Sequence, residues 1–210
     1  TGRLRVGASV NIGTYYIPKL IREFQDRYPG INVQVKINTT AVVEKELLDG
    51  RLDLALVGGT IQSEHIVAEP LFYEKYTAIC APEHPMAGKT VPLEEFMKEP
   101  LLSREKSSGA YEVFQSAVNQ TGLTVTPVWE STSQTTLMEA VHYGLGVTIL
   151  PEQMIKREVR EGRLSQITFS DFSFQNTIHI AYHHSKYLSP SIKKFILLVK
   201  TLNPPKSVPE

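Results

Sequence analysis

The sequence is poor in cysteine and has no long apolar segment. Cys80 is the one cysteine in 210 residues, which excludes an intramolecular disulfide and fits a reducing cytosol as well as disulfide-free extracytoplasmic proteins. No apolar run is long enough to span a bilayer. The first residues lead directly into a strand pattern at Leu4–Val6, where a signal peptide would need a longer apolar stretch. We therefore expect a protein with no membrane partner.

The sequence also lacks any excess of charge of one sign. It carries 22 Lys and Arg against 22 Asp and Glu, so its formal net charge is zero. A nucleic-acid-binding module normally shows a basic excess that is clustered along one face. This balance predicts that the chain does not bind DNA by itself.

Motifs for catalysis and for metal or cofactor binding are absent as well. The glycines at 58–59 and 144–146 lack the spacing of a phosphate-binding loop, and no nucleophile-elbow motif occurs. His183 and His184 are adjacent, so on a strand they would point to opposite faces and could not share a metal. Cys80, close to His84, is interpreted as a buried structural thiol instead of a nucleophile. We expect no enzyme activity, no metal and no cofactor.

Strand and helix patterns alternate in the first part of the chain. Three apolar strands are predicted at 4–8, 31–37 and 53–57, and the second alternates with polar residues as a half-buried strand does. Helices are predicted over 17–28, with Pro18 in the first turn, and over about 43–48. A β-α-β-α-β order of this kind predicts an α/β fold with a mostly parallel sheet.

The alternation restarts after a proline-rich break at 81–85, which we interpret as a hinge between two lobes. A helix is predicted over 111–121, a strand over 124–129 and a further helix after Ser131–Ser133. A strand at 178–182 would return the chain, and a closing helix around 192–199 would pack on the first lobe. The predicted lobes are 1–81 with 183–210, and 82–182, joined by two crossovers. Ligands in such folds usually lie between the lobes, at the carboxyl ends of strands.

Three long segments carry a resemblance to a known family. They are LRVGASVNIGTYYIPKLIREFQDRYPGINVQVKINTT with ELLDGRLDLALV, PLFYEKYTAICAPEHPMAGKTVPLEEFMKEPLLSREKSSGAY, and VWESTSQTTLMEAVHYGLGVTILPEQMIKREVREGRL. In this order they resemble the effector-binding domain of LysR-type transcriptional regulators. The resemblance implies a fold like that of type II periplasmic binding proteins, a cytoplasmic location, dimers or tetramers, and an effector between the lobes. It also implies an N-terminal winged helix-turn-helix that would hold DNA and is missing here.

Two loops are the candidate binding elements. A helix N-terminus favours anions because it presents unpaired N–H groups and the positive end of the dipole. Ser9–Thr14 and Ser131–Ser133 each lie between a predicted strand and a helix and are rich in hydroxyl and amide groups. The alternative interpretation is that these residues only cap the helices.

The resemblance places effector contacts at Ser9 and Asn11, at about Thr132, at Ser103 and at Gly58. The predicted effector-binding residues are Ser9, Val10, Asn11, Thr14, Gly58, Ser103, Ser131, Thr132 and Ser133. Neutral donors of this kind would suit a small oxyanion or a short carboxylate. Arg104 and Lys106 are interpreted as solvated loop charges. An aromatic effector is the alternative, with Tyr15, Tyr16 and Trp129 near the site.

The sequence therefore predicts an allosteric sensor of a small-molecule effector. The resemblance implies a two-fold dimer in which a helix at about 17–28 of one chain lies against a helix at about 135–143 of the other. Two other classes remain open. One is a secreted solute-binding protein of the same fold; the other is an enzyme on this scaffold, of the prephenate dehydratase or porphobilinogen-polymerising type.

Overall fold

The protein consists of two compact units that are joined by two continuous strands. The structure, a computed structural model, describes residues 2–202. Within this range, unit 1 comprises residues 2–73 and 177–202, and unit 2 comprises residues 74–176. Strands β4 (Ile66–Cys80) and β10 (Gln175–His183) each run across a boundary. The predicted boundaries after 81 and 182 lie close to the C-terminal ends of these two strands, whereas the unit boundaries lie within the strands. The proline-rich break follows β4 and does not interrupt it.

Unit 1 is an α/β unit that begins with the predicted alternation. Its elements are β1 (Gly2–Ser9), α1 (Val10–Tyr15), α2 (Ile17–Arg27), β2 (Ile31–Asn38), α3 (Thr40–Leu48), β3 (Leu54–Gly58) and α8 (Pro190–Leu202), with the first part of β4 and most of β10. β1 pairs in parallel with β2 and with β3, and β10 is antiparallel to β3. All five residues of β3 are buried.

The core of unit 1 joins the start of the chain to its end. Phe24 of α2 and Phe195 of α8 are both fully buried, with ring centroids 5.1 Å apart in an edge-on arrangement. They pack in one cluster with Leu4 and Val6 of β1. The C-terminal helix therefore returns to the first unit, as the sequence predicted.

Two local predictions in unit 1 are wrong. Residues 10–15 form the short helix α1, although the sequence predicted a turn over Ser9–Thr14. A Cβ added to Gly13 would lie 2.6 Å from Ile37 Cγ2, so this helix sits tightly against β2. β2 itself is more exposed than predicted: Val35 is 38% exposed and Ile37 is 47% exposed.

Unit 2 has a mixed sheet and more strands than the sequence predicted. Its elements are the second part of β4, β5 (Thr90–Val91), α4 (Leu93–Phe96), β6 (Leu102–Arg104), α5 (Gly109–Gln120), β7 (Trp129–Ser131), α6 (Gln134–His142), β8 (Thr148–Pro151), α7 (Glu152–Arg160) and β9 (Ser165–Phe169). β8 and β9 are antiparallel to β4, whereas β5 pairs with β9 and β6 with β7 in parallel. The strand predicted over 124–129 is confined to 129–131.

A close backbone approach at Gly146 holds β6 in place. Its φ is +156°, and a Cβ there would lie 2.2 Å from the carbonyl oxygen of Pro100. The next residue, Val147, bridges Leu101 and accepts a hydrogen bond of 2.9 Å from the N–H of Leu102. Only glycine fits this contact. Over residues 2–202, no helix combines the length and the apolar character needed to cross a membrane.

Candidate functional site

In unit 1, two predicted residues meet at the carboxyl ends of neighbouring parallel strands. Ser9 ends β1 and Gly58 ends β3. The N–H of Gly58 donates a hydrogen bond of 3.3 Å to Ser9 Oγ. Because the Ser9 hydroxyl accepts this bond, its own hydrogen can still be donated to a ligand. The carboxyl ends of parallel strands are where open α/β sheets usually bind ligands.

Thr40 is a member of this group that the sequence analysis missed. Its hydroxyl donates a hydrogen bond of 2.8 Å to the carbonyl oxygen of Gly58, and the residue is only 5% exposed. Thr39 caps α3 by accepting from the N–H of Val42. The adjacent Thr40 is thereby oriented towards β3.

The other predicted residues of unit 1 differ in their surroundings. Asn11 is buried, at 8% exposure, in the helix that follows Ser9. Thr14 is exposed, and its hydroxyl donates a bond of 2.9 Å to the carbonyl oxygen of Val10. Thr14 therefore makes a bond within α1, whereas Ser9 and Gly58 are hydrogen-bonded to each other.

In unit 2, the second group lies on β6 and β7 and at the start of α6. Ser103 of β6 pairs with Glu130 of β7, and Ser131 ends β7. Ser133 is the N-cap of α6 and accepts from the N–H of Thr136 at 3.2 Å. The Ser131 hydroxyl accepts from the N–H of Ser133 at 3.0 Å and donates to its carbonyl oxygen.

Local capping therefore accounts for the bonds that Ser131 and Ser133 make. Thr132, between them, is exposed, and Ser103 is 7% exposed. Of this group, Thr132 and Ser103 are the two hydroxyls that the capping bonds do not involve. The structure brings these four residues together in unit 2.

The interpretation of Arg104 as a solvated charge is wrong. Arg104 is 7% exposed, and its Nε donates to Glu105 Oε2 at 2.9 Å in a buried ion pair. It is buried because it lies on β6, whose three residues are all buried, and not in a loop. Lys106, just after this pair, is exposed as predicted.

The aromatic candidates are of two kinds. Tyr15 and Trp129 are 46% and 41% exposed. Tyr16 packs on Phe72 with ring centroids 5.1 Å apart, and burial, with the nearby charge of Glu23, raises its pKa to about 12. Tyr16 is thus a packing residue.

Cys80 and the histidines show no reactive or metal-binding arrangement in the described part of the chain. Cys80 is fully buried, and burial raises the pKa of its thiol to about 11. His65, His183 and His184 are in ring contact, with centroids 4.8 to 6.3 Å apart. Within residues 2–202, no three His, Cys, Asp or Glu side chains are placed to hold a metal ion.

Comparison with known proteins identifies the class. The model of the LysR substrate binding domain family matches residues 1–203, and the chain belongs to this family. The HTH-type transcriptional regulator YeiE of Escherichia coli is 27% identical over 209 residues, which are 98% of this chain and 70% of YeiE. YeiE, like CysL of Bacillus subtilis, is an HTH-type transcriptional regulator, not an enzyme, and this chain is an effector-binding domain of that type.

Solved structures give the same fold. The regulatory domain of CcmR from Synechocystis PCC6803, in complex with 2-PG, has a TM-score of 0.88 at 23% identity, with 98% of this chain and 100% of that chain covered. The effector-binding domain of QuiR, in complex with shikimate, has a TM-score of 0.86 at 17% identity, with 96% and 97% covered. The fold predicted from the sequence is confirmed, and nothing in the comparisons supports the secreted alternative.

Proposed function

We propose that this domain senses a small anionic effector with the two groups of residues described above. The effector contacts Ser9, Val10, Asn11, Thr14 and Gly58 of unit 1, and Ser103, Ser131, Thr132 and Ser133 of unit 2. The observation that carries the proposal is the bond between Gly58 and Ser9 at the carboxyl ends of two parallel strands. It places a donor hydroxyl where open α/β sheets bind ligands.

The chemistry of both groups favours an oxyanion or a short carboxylate. Their side chains are hydroxyls and an amide, and the exposed Thr132 lies just before the N-terminus of the nine-residue helix α6. A helix N-terminus stabilises negative charge by about 0.3–1 kcal/mol. The ligands named for two structures of this fold, shikimate and 2-PG, are both anions.

The regulatory step is a shift between conformations. An effector that binds one conformation more tightly raises its population, and the size of the shift cannot exceed that difference in affinity. LysR-type regulators act as oligomers. In the intact protein we place the domain in a cytoplasmic homodimer or tetramer, in which α2 of one chain lies against α6 of the other. A helix-turn-helix domain of the same polypeptide binds DNA.

The test is a thermal-shift panel in an anion-poor buffer. Sulfate, phosphate, acetate, shikimate and 2-PG are each added to the wild type and to Ser9→Ala and Thr132→Ala. Ser116→Ala, an exposed hydroxyl on α5, is the matched control. A ligand at 100 times its Kd adds about 2.7 kcal/mol, which is several degrees for a domain of this size.

The proposal expects a shift with at least one anion that is reduced in both Ser9→Ala and Thr132→Ala and kept in Ser116→Ala. Shifts that both variants retain would overturn the assignment of the site. A panel in which no anion changes the melting temperature would overturn the ligand class.

A further inference from the structure

A narrow cavity inside unit 2 extends beyond the residues of the proposed site. Its free volume is about 20 Å³, which is room for one small polar group. Its polar lining residues are Ser103, Arg104, Gln134 and Thr148, and its aromatic lining residues are Tyr76, Tyr111, Phe114 and Phe174.

Gln134 is the feature that points to a ligand. It is 7% exposed, and its side-chain Nε2 is buried with no hydrogen-bond partner among the described residues. Leaving a buried amide donor without a partner costs about 1–3 kcal/mol. The neighbouring Thr148 hydroxyl donates to the carbonyl oxygen of Leu102 at 2.5 Å, and it does not accept from Gln134 Nε2.

The hydrogen-bond donors of the lining favour an anion. Arg104 is the one charged residue of the lining, and its two bonds to Glu105 use two of its five N–H donors. Gln134 is also the first residue of α6, so the positive end of that helix lies at the cavity. A carboxylate oxygen would accept from the Gln134 amide and from Arg104.

The aromatic lining residues limit what can accompany the carboxylate. The Tyr76 and Phe174 rings are 5.0 Å apart, and Phe114 lies 5.4 Å from Phe174. The Tyr76 hydroxyl donates to Glu74 Oε2 at 3.1 Å, so its ring faces the cavity mainly as an apolar surface. An organic carboxylate suits this lining better than an inorganic oxyanion does.

We propose that this cavity is a subsite of the effector site that binds the carboxylate group of the effector, with Gln134 as the donor. The inference rests on the proposed function, because Ser103 belongs to both. The inference goes beyond the proposed function by choosing a carboxylate over an inorganic oxyanion. It also assigns two residues, Gln134 and Arg104, that the sequence analysis had not singled out for binding.

The test is an NMR titration of the ¹⁵N-labelled domain with sodium propionate, with propionamide as the uncharged probe of equal shape. The side-chain N–H signals of Gln134 are identified by their loss in Gln134→Met. In the wild type we expect these signals to move saturably with propionate and less with propionamide. In Gln134→Met and Gln134→Glu, the Kd read from backbone signals should rise about ten- to a hundredfold, as expected for one hydrogen bond to a charged group.

Gln153→Met is the matched control. Gln153 also lies in the first turn of a unit 2 helix, but it is exposed, so its replacement should leave the Kd for propionate unchanged. Ser9→Ala is run alongside to separate the two proposals. Propionate binding that depends on Ser9 but not on Gln134 would overturn the subsite and leave the proposed function standing. Equal Kd values in the wild type and both Gln134 variants, or no saturable movement, would overturn the subsite.

Discussion

Asp53→Asn should destabilise unit 1 in a pH-dependent way. The Asp53 carboxylate accepts the backbone N–H of Arg5 at 2.8 Å and the Arg5 guanidinium at 2.7 Å. It also accepts from Lys186 Nζ at 2.6 Å. These bonds connect β1, the residue before β3 and the turn that precedes α8. The Asp53 side chain is only 11% exposed, so the pair is screened less than a surface pair.

The size of the destabilisation follows from the pKa of the Asp53 carboxyl. Burial raises the pKa, but the hydrogen bonds from Arg5 and Lys186 outweigh burial and lower it from 3.8 to about 2. Because the folded pKa lies below the unfolded one, the stabilisation is complete above about pH 4 and is lost as the pH falls to about 2. With an allowance for partial solvent screening, this stabilisation is about 1–2 kcal/mol at pH 7.

The assay is urea unfolding of the wild type and of Asp53→Asn at pH 7, 5, 4 and 3. We expect a difference of about 1–2 kcal/mol at pH 7 and pH 5 that shrinks below pH 4. Asp26→Asn is the control, because Asp26 pairs with Arg22 on the surface of α2 and is 56% exposed; it should cost less than 1 kcal/mol. A difference that stays constant down to pH 3, or an equal cost at Asp26, would refute the reasoning.

Three further predictions concern stability and reactivity. Gly146→Ala should cost about 3 kcal/mol or more in urea unfolding, because its Cβ would meet the Pro100 carbonyl oxygen at 2.2 Å, whereas Gly162→Ala, with positive φ and open space, should cost about 1 kcal/mol. Equal losses of unfolding free energy in Gly146→Ala and Gly162→Ala would contradict the close approach of Gly146 to Pro100. Ser133→Ala should lower stability by about 1 kcal/mol through loss of the α6 cap, and a loss below 0.3 kcal/mol would argue against the cap. Cys80 should resist maleimide at pH 7.5 in the native protein and react on unfolding; equally fast labelling of both states would show that its thiol is accessible.

The elements that the sequence predicted well depend on local signals. α3 begins where a Thr cap precedes an apolar run, and α6 begins after Ser133 for the same reason. A cap bonds to a backbone N–H two or three residues ahead, so its residue type can be recognised within one turn of sequence. The buried strand β3 was equally clear, because an apolar run of five residues has no amphipathic alternative.

The elements that were missed depend on contacts far apart in sequence. α1 forms where Gly13 lies against Ile37 of β2, and no property of residues 10–15 alone reveals that neighbour. Strands β5 and β9 pair with each other across more than 70 residues of chain, and β5 has only two residues. Such short strands are defined by their pairing with a partner strand, since a two-residue segment has no periodicity to detect.

In the candidate site, a local rule explains Ser133 but does not explain Gln134. Ser133 sits where a cap rule predicts a serine, so its bond to Thr136 accounts for its presence without a ligand. Gln134, one residue later, follows no such rule: a glutamine at the first position of a helix is ordinarily exposed, yet its amide is buried without a partner. Residues that break a local rule at a cost in stability are expected where function requires them. If the unpartnered Gln134 amide destabilises the domain without effector, replacing Gln134 by methionine should stabilise the unliganded domain. The same replacement should weaken carboxylate binding. If Gln134 were needed only for folding, its replacement by methionine would lower the free energy of unfolding instead.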